Sequence, residues 1–228
     1  MPLGIPDLLI DTLLVGIRSA YKDPSCIGID LTGSERQPTG LCVLRGKNAS
    51  LSLAWTDAEI LSAIDAAGTG LVAIDSSLGL PAGRCCAEDT CECRKYGIMR
   101  DCERTLRRRG IRVYPTLIKS MQKLTVRGIH LAGQLRERGY EVIESYPGAI
   151  QDILSIPRKK VDPALLRAGL DKTGIRIHNG RDHVTHDELD ALTATLGGYF
   201  YLAGWYEAIG NADEGYLILP DLTRIPEE

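Results

Sequence analysis

Cys26-Ile-Gly-Ile-Asp-Leu-Thr-Gly-Ser34 is an apolar run that carries one carboxylate, Asp30, near its end and then breaks into a small polar turn. A run of this length bounded by turn residues predicts a buried first strand. Outward from it, Gly40 to Arg45 and Ala49 to Trp55 read as two further strands, separated by Gly46-Lys47-Asn48 in the manner of a hairpin turn. Thr56 stands three residues before Glu59, a capping-box signature, and Ile60, Leu61 and Ile64 keep helical spacing until Gly68. Leu71-Val-Ala-Ile-Asp75 then repeats the first pattern: an apolar strand ending in an acid.

After a cysteine-rich loop the alternation continues, with a helix predicted from about Ile98 to Arg109, an extended piece from Ile111 to Tyr114 and a helix from about Lys119 to Arg138. Tyr140 to Ser145 is a fifth strand. Helices follow at Ala149 to Leu154, Pro163 to Leu170 and about His186 to Ala208, the last with Leu189, Leu192, Leu196, Tyr199 and Phe200 near one face, and Tyr216 to Leu219 is strand-like. A three-strand meander followed by strands alternating with helices predicts an α/β fold: a mixed central sheet with helices on both faces. Residues 1 to 24, with Leu8, Leu9, Leu13, Leu14 and Ile17, read as an N-terminal extension to a single domain spanning 25 to 228, with the cysteine-rich loop at 84 to 102.

Composition narrows the class. With 228 residues, 44% hydrophobic and 25% charged, the chain is long enough for one ample domain and too apolar for disorder. No segment has the apolar length of a membrane span, so a membrane partner is not expected. The stretch Leu8 to Val15 is broken by Asp11 and lacks a basic leader, which predicts a cytoplasmic location. A net charge of −3 means that any nucleic-acid surface must be local. Oligomeric state has no signature here.

Carboxylates recur at strand ends: Asp30, Asp75 and Glu144. An ionised acid within an apolar strand is costly unless paired or metal-bound, and the carboxyl ends of adjacent strands converge on one crevice. His186-Asp-Glu-Leu-Asp190 adds Asp187 and Asp190, three apart on one helix face, whose mutual repulsion a cation would relieve. Oxygen-rich sets of this kind suit Mg²⁺ or Mn²⁺, and two such ions can drive phosphodiester hydrolysis.

The segments GIDLTGS (28 to 34), AIDSSLGLP (73 to 81), RDCERTLRRRGI (100 to 111), VIESYPGA (142 to 149) and HDELDAL (186 to 192) resemble the signature blocks of Domain of Unknown Function family 429, described as predicted nucleases of the ribonuclease H-like fold. The resemblance covers about residues 26 to 220. It implies a ribonuclease H-like α/β fold in which Asp30 is the first-strand acid bridging two metals, and Asp75 the fourth-strand acid. Asp187 and Asp190 would be the pair on the closing helix, and Glu144 an additional acid of the family.

Cys85, Cys86, Cys91, Cys93 and Cys102 put five thiols within eighteen residues. In a reducing compartment that density predicts thiolate coordination of zinc or of an iron–sulfur cluster, and the spacing fits neither a paired finger nor a ferredoxin run. Cys102 also belongs to the RDCE block, which ties it less firmly to the cluster. Cys26 and Cys42 read as small core residues.

Arg100, Arg104 and Arg108 share a helical stripe and are candidate phosphate contacts for a nucleic-acid partner, with Arg158-Lys159-Lys160 a second basic run. The leading expectation is therefore a metal-dependent nuclease. Two others stand beside it: a non-catalytic, metal-stabilised binding or scaffold protein, and a nucleotide-dependent phosphotransferase suggested by the IDLTGS turn.

Overall fold

The structure, a computed structural model, describes residues 9–18, 21, 23–158, 162–178 and 183–226. Leu8, Lys159 and Lys160 lie outside the described residues.

The meander forms as the alternation predicts. β1 (Ser25–Asp30) pairs antiparallel with β2 (Thr39–Arg45), and β2 with β3 (Asn48–Ala54). α2 (Asp57–Ala67) starts on a complete capping box between Thr56 and Glu59 and ends at Gly68, whose φ of 62° is the left-handed conformation that favours glycine. It returns the chain to β4 (Leu71–Asp75), parallel to β1, and β5 (Glu141–Ser145) adds in parallel beyond β4. Between them lie α3 (Asp101–Arg108) and α4 (Gln122–Glu137).

Further on come α5 (Pro147–Ile153), α6 (Pro163–Lys172), the short edge strand β6 (Arg176–His178) and α7 (His186–Leu202). The predicted last helix is too long by several residues. It stops at Leu202, Gly204 turns the chain at a φ of 74°, and Tyr206–Asn211 form β7, paired antiparallel with β8 (Gly215–Pro220). Neither β6 nor β7 has an alternation strong enough to stand out in the sequence; long-range pairing makes them strands.

Among the described residues eight strands stand in the order β6-β3-β2-β1-β4-β5-β8-β7. Alternate residues of one strand serve different cores, as the period of two requires. Cys26, Leu71 and Ala73 pack with α5, α6, α7 and α1 (Leu9–Arg18), whereas Ile27, Ile29, Val72 and Ile74 pack with Ile60 and Ile64 of α2 and Leu131 and Leu135 of α4. Helices thus cover both faces, and β1 is buried along nearly its whole length. In α1, Leu9, Ile10, Leu13, Leu14 and Ile17 are buried in the same core as α7.

α7 is the axis of that layer, buried continuously from Glu188 to Phe200. It lies close to the sheet because two glycines let it. A Cβ on Gly28 would fall 1.9 Å from the Ala191 carbonyl oxygen, and one on Gly40 would fall 2.2 Å from that of Asp187. Among the described residues no helix is long and apolar enough to cross a membrane.

Candidate carboxylate crevice and thiol centre

Asp30 and Asp75 are register partners at the carboxyl ends of the parallel pair β1–β4. Neighbouring strands lie about 4.8 Å apart, so the two acids leave the sheet side by side. Both fall on the α7 face, in step with Cys26 and Gly28 on β1 and with Leu71 and Ala73 on β4. Gly40, the β2 partner of Asp30, touches the backbone of Asp187, which sets the first turn of α7 over the same strand ends.

That first turn carries Asp187, and Asp190 follows one turn on. Thr185 and Glu188 complete a capping box, with Thr185 Oγ1 accepting from the Glu188 amide at 3.2 Å and the Glu188 carboxylate accepting from the Thr185 amide at 2.9 Å. Glu188 is thereby committed to the cap. Asp187 is partly buried with its Oδ1 2.7 Å from Nδ1 of the exposed His186. Asp190 is buried and accepts from Gln151 Nε2 of α5 at 2.8 Å. The fold thus sets Asp30 and Asp75 at adjacent strand ends and brings the Asp187 backbone against Gly40, the β2 partner of Asp30. Among the described residues these acids do not bring three ligand oxygens within 4.8 Å of one another.

Glu144 is a correction to the predicted set. It is the register partner of Ile74, one residue before the strand end, so its side chain points to the α2–α4 face with Val142. There it accepts from Arg100 Nη1 at 2.8 Å, from Arg100 Nη2 and from the Leu78 amide at 2.7 Å. It is structurally occupied.

Arg100 is corrected with it. Far from facing solvent on a helical stripe, it is the N-cap residue of α3, 1% exposed, and donates through Nε to Glu103 and Thr116, each at 3.0 Å. Burial works against its charge, but Glu144 outweighs that and raises its pKa. Arg104 and Arg108 do lie exposed on α3.

A cleft opens beside Asp75 at the ends of β4 and β5, lined by Asp75, Ser77, Arg100, Tyr114, Glu144 and Tyr146. Burial first, with Asp75 a smaller contributor, pushes the Tyr146 phenol up. Sequence reasoning missed Glu103, which lines this cleft, and Glu214, whose backbone carbonyl accepts from Arg100. The first had a signal, its place three residues after Arg100; the second had none, because its partners are distant in the chain.

The loop leaving β4 leads to the thiols. Sγ of Cys85 lies 3.7 Å from that of Cys91, Sγ of Cys86 lies 3.8 Å from that of Cys93, and all four sulfurs fall within 4.8 Å of one another. This quartet could hold zinc or iron–sulfur iron. Cys102 is not part of it: it is fully buried with Leu106, Ala149, Ile209, Leu217 and Leu219, where α3 meets the β7–β8 hairpin. Burial first opposes ionisation of Cys93, but backbone amides of Cys85 and Cys86 and the neighbouring thiols hold it down at about 6.

Glu214, 3% exposed, ties the loop down. Its carboxylate accepts from the Ala82 amide at 2.8 Å and from the Asp101 amide at 2.6 Å, gripping the beginning and the end of the cysteine-bearing excursion. Compared with protein-family models, curated proteins and solved structures, the chain has no significant match.

Proposed function

We propose that this chain is a divalent-metal-dependent phosphodiesterase of the ribonuclease H-like kind, acting on nucleic acid. The observation that carries the reading is the in-register pairing of Asp30 with Asp75 at the carboxyl ends of adjacent parallel strands, beside the first turn of α7, which bears Asp187. The order β3-β2-β1-β4-β5, with an antiparallel meander and parallel β1, β4 and β5, supports the same fold family, as does the resemblance of the five sequence blocks to predicted nucleases.

The donor set fits Mg²⁺ or Mn²⁺. All four groups are hard carboxylates, and Mg²⁺ typically keeps several waters while taking one or two protein carboxylates plus substrate phosphate, so an assembled cage of three acids is not required. Asp30 and Asp75 would hold such an ion, with Asp187 and Asp190 completing the set. When bound, it supplies charge neutralisation at the phosphate and an activated water. The chain itself orients Asp190 through Gln151 and leaves Arg104 and Arg108 exposed for phosphate contact. The test is cleavage of single-stranded, duplex and branched DNA and RNA with Mg²⁺ or Mn²⁺. Activity that Asp30→Asn abolishes is the expected result; inactivity on every substrate, or activity that Asp30→Asn leaves intact, overturns it.

The thiol quartet favours a second reading, a metal-stabilised binding protein without catalysis. Nucleic-acid binding that persists in Asp30→Asn with no turnover in the wild type would select it.

A further inference from the structure

The geometry points to a single tetrahedral zinc ion, held by Cys85, Cys86, Cys91 and Cys93, that closes the loop beside the carboxylate crevice and takes no part in chemistry. Zinc bound to four thiolates has bonds of about 2.3 Å, which puts neighbouring sulfurs about 3.8 Å apart at the corners of a tetrahedron. The Cys85–Cys91 and Cys86–Cys93 sulfur separations are 3.7 and 3.8 Å. An iron–sulfur cluster asks for something else. Its cysteines are divided among two or more iron atoms outside a core of bridging sulfide, whereas four sulfurs all within 4.8 Å of one another leave room for one atom and no core.

The surroundings suit a doubly negative zinc–thiolate centre. Arg84, 7% exposed, brings a buried positive charge into the loop and donates to the carbonyls of Cys86 at 3.1 Å, Gly97 at 3.2 Å and Glu88 at 3.2 Å. The chain between Cys91 and Cys93 enters a short 3₁₀ turn, Glu92–Tyr96, which presents the last ligand inward. Four protein ligands leave no open position, and that is the pattern of a structural site.

The consequence is mechanical. The excursion between Ser77 and Arg100, both of which line the cleft, is pinned at its ends by Glu214 and would be pinned at its centre by zinc, so it holds its shape without a large apolar core of its own.

The experiment is metal analysis of the full chain purified anaerobically without chelator. The expected result is one equivalent of zinc, no acid-labile sulfide, and intense visible bands of a tetrahedral cobalt thiolate after exchange with Co²⁺. Cys85→Ser, at an exposed position, and Cys93→Ser should each lose the ion, whereas Cys102→Ala should keep it. Chelation should raise tryptic cleavage at Arg84, Arg94 and Lys95 by about tenfold or more while circular dichroism of the sheet persists. Iron with acid-labile sulfide, mononuclear iron, or a protein that neither contains nor takes up zinc would each overturn the proposal. It is independent of phosphodiester cleavage: a protein inactive on every substrate yet carrying zinc leaves it standing.

Discussion

Arg100 and Glu144 meet inside the protein in a two-pronged ion pair, with Nη1 donating to Oε2 at 2.8 Å and Nη2 donating to Oε1, while the Nε of the same guanidinium donates to Glu103 at 3.0 Å. Their side chains are 2% and 6% exposed. One buried cation thus ties the start of α3 to the fifth strand, and an acid that looks like a ligand in the sequence is a brace in the fold. Removing one partner of a buried pair leaves the other charge stranded, which typically costs about 3 to 5 kcal/mol. Glu144→Gln and Arg100→Met should each lower stability by about that amount in urea denaturation, and the double variant by less than their sum. A Glu144→Gln protein of unchanged stability but lost cleavage would return Glu144 to the catalytic set.

Asp30→Asn and Asp75→Asn should each reduce metal-dependent cleavage by about 10²-fold or more, since even indirect supports of a metal site are worth 10- to 100-fold. Circular dichroism should stay that of the wild type. Isothermal titration with Mn²⁺ checks the cause: binding should weaken in the same two variants.

Gly40→Ala asks whether the approach of α7 to β2 matters. Its Cβ would lie 2.2 Å from the Asp187 carbonyl oxygen, so the first turn of α7 must move away from β2 at the residue paired with Asp30. The expected loss is about 1 to 3 kcal/mol, typical of overpacking, accompanied by reduced cleavage. Thermal melts read the first and activity the second; full activity at reduced stability would mean that the exact seating of that turn is immaterial.

Glu214 should make the loop acid-sensitive. Burial works to raise its pKa, but amide donors at Ala82 and Asp101 outweigh this and hold it below the ordinary 4.5. A carboxyl depressed on folding stabilises fully above its unfolded value and loses that contribution as pH falls through the lower folded value. The stability gap between wild type and Glu214→Gln should therefore be widest at neutral pH and close as the pH falls below the ordinary 4.5 and through the lower folded value. Melting curves across that range decide it, a constant gap being the adverse outcome.

Arg104 and Arg108 should matter for affinity without touching sequence choice. Replacing both with Gln should weaken nucleic-acid binding more at low than at high salt and flatten the log–log salt slope by about 2. An unchanged slope would remove α3 from the interface.

Much of this architecture is legible along the chain because its causes are local. The strand β1 with Asp30, the capping box at Thr56 and Glu59, the stop at Gly68 and the thiol density around Cys85 to Cys93 all act within a few residues, and the structure keeps each of them. Local pattern overreached where pairing across the chain decides the outcome. It extended the last helix through Tyr206, because nothing nearby announces that Tyr206 will find Pro220 and become part of a strand.

The sequence alone determined an α/β chain with a meander, acids at strand ends and a cysteine loop, since periodicity, caps and apolar runs are properties of neighbouring residues. Only the tertiary structure decided which acids share a face. A shift of one residue along a strand turns a side chain to the other side of the sheet, so Asp75 looks toward α7 while Glu144 looks away, toward an arginine 44 positions distant. The same folding separated Cys102 from the other four thiols and buried it in an apolar cluster, a sorting set by where α3 packs and invisible to spacing.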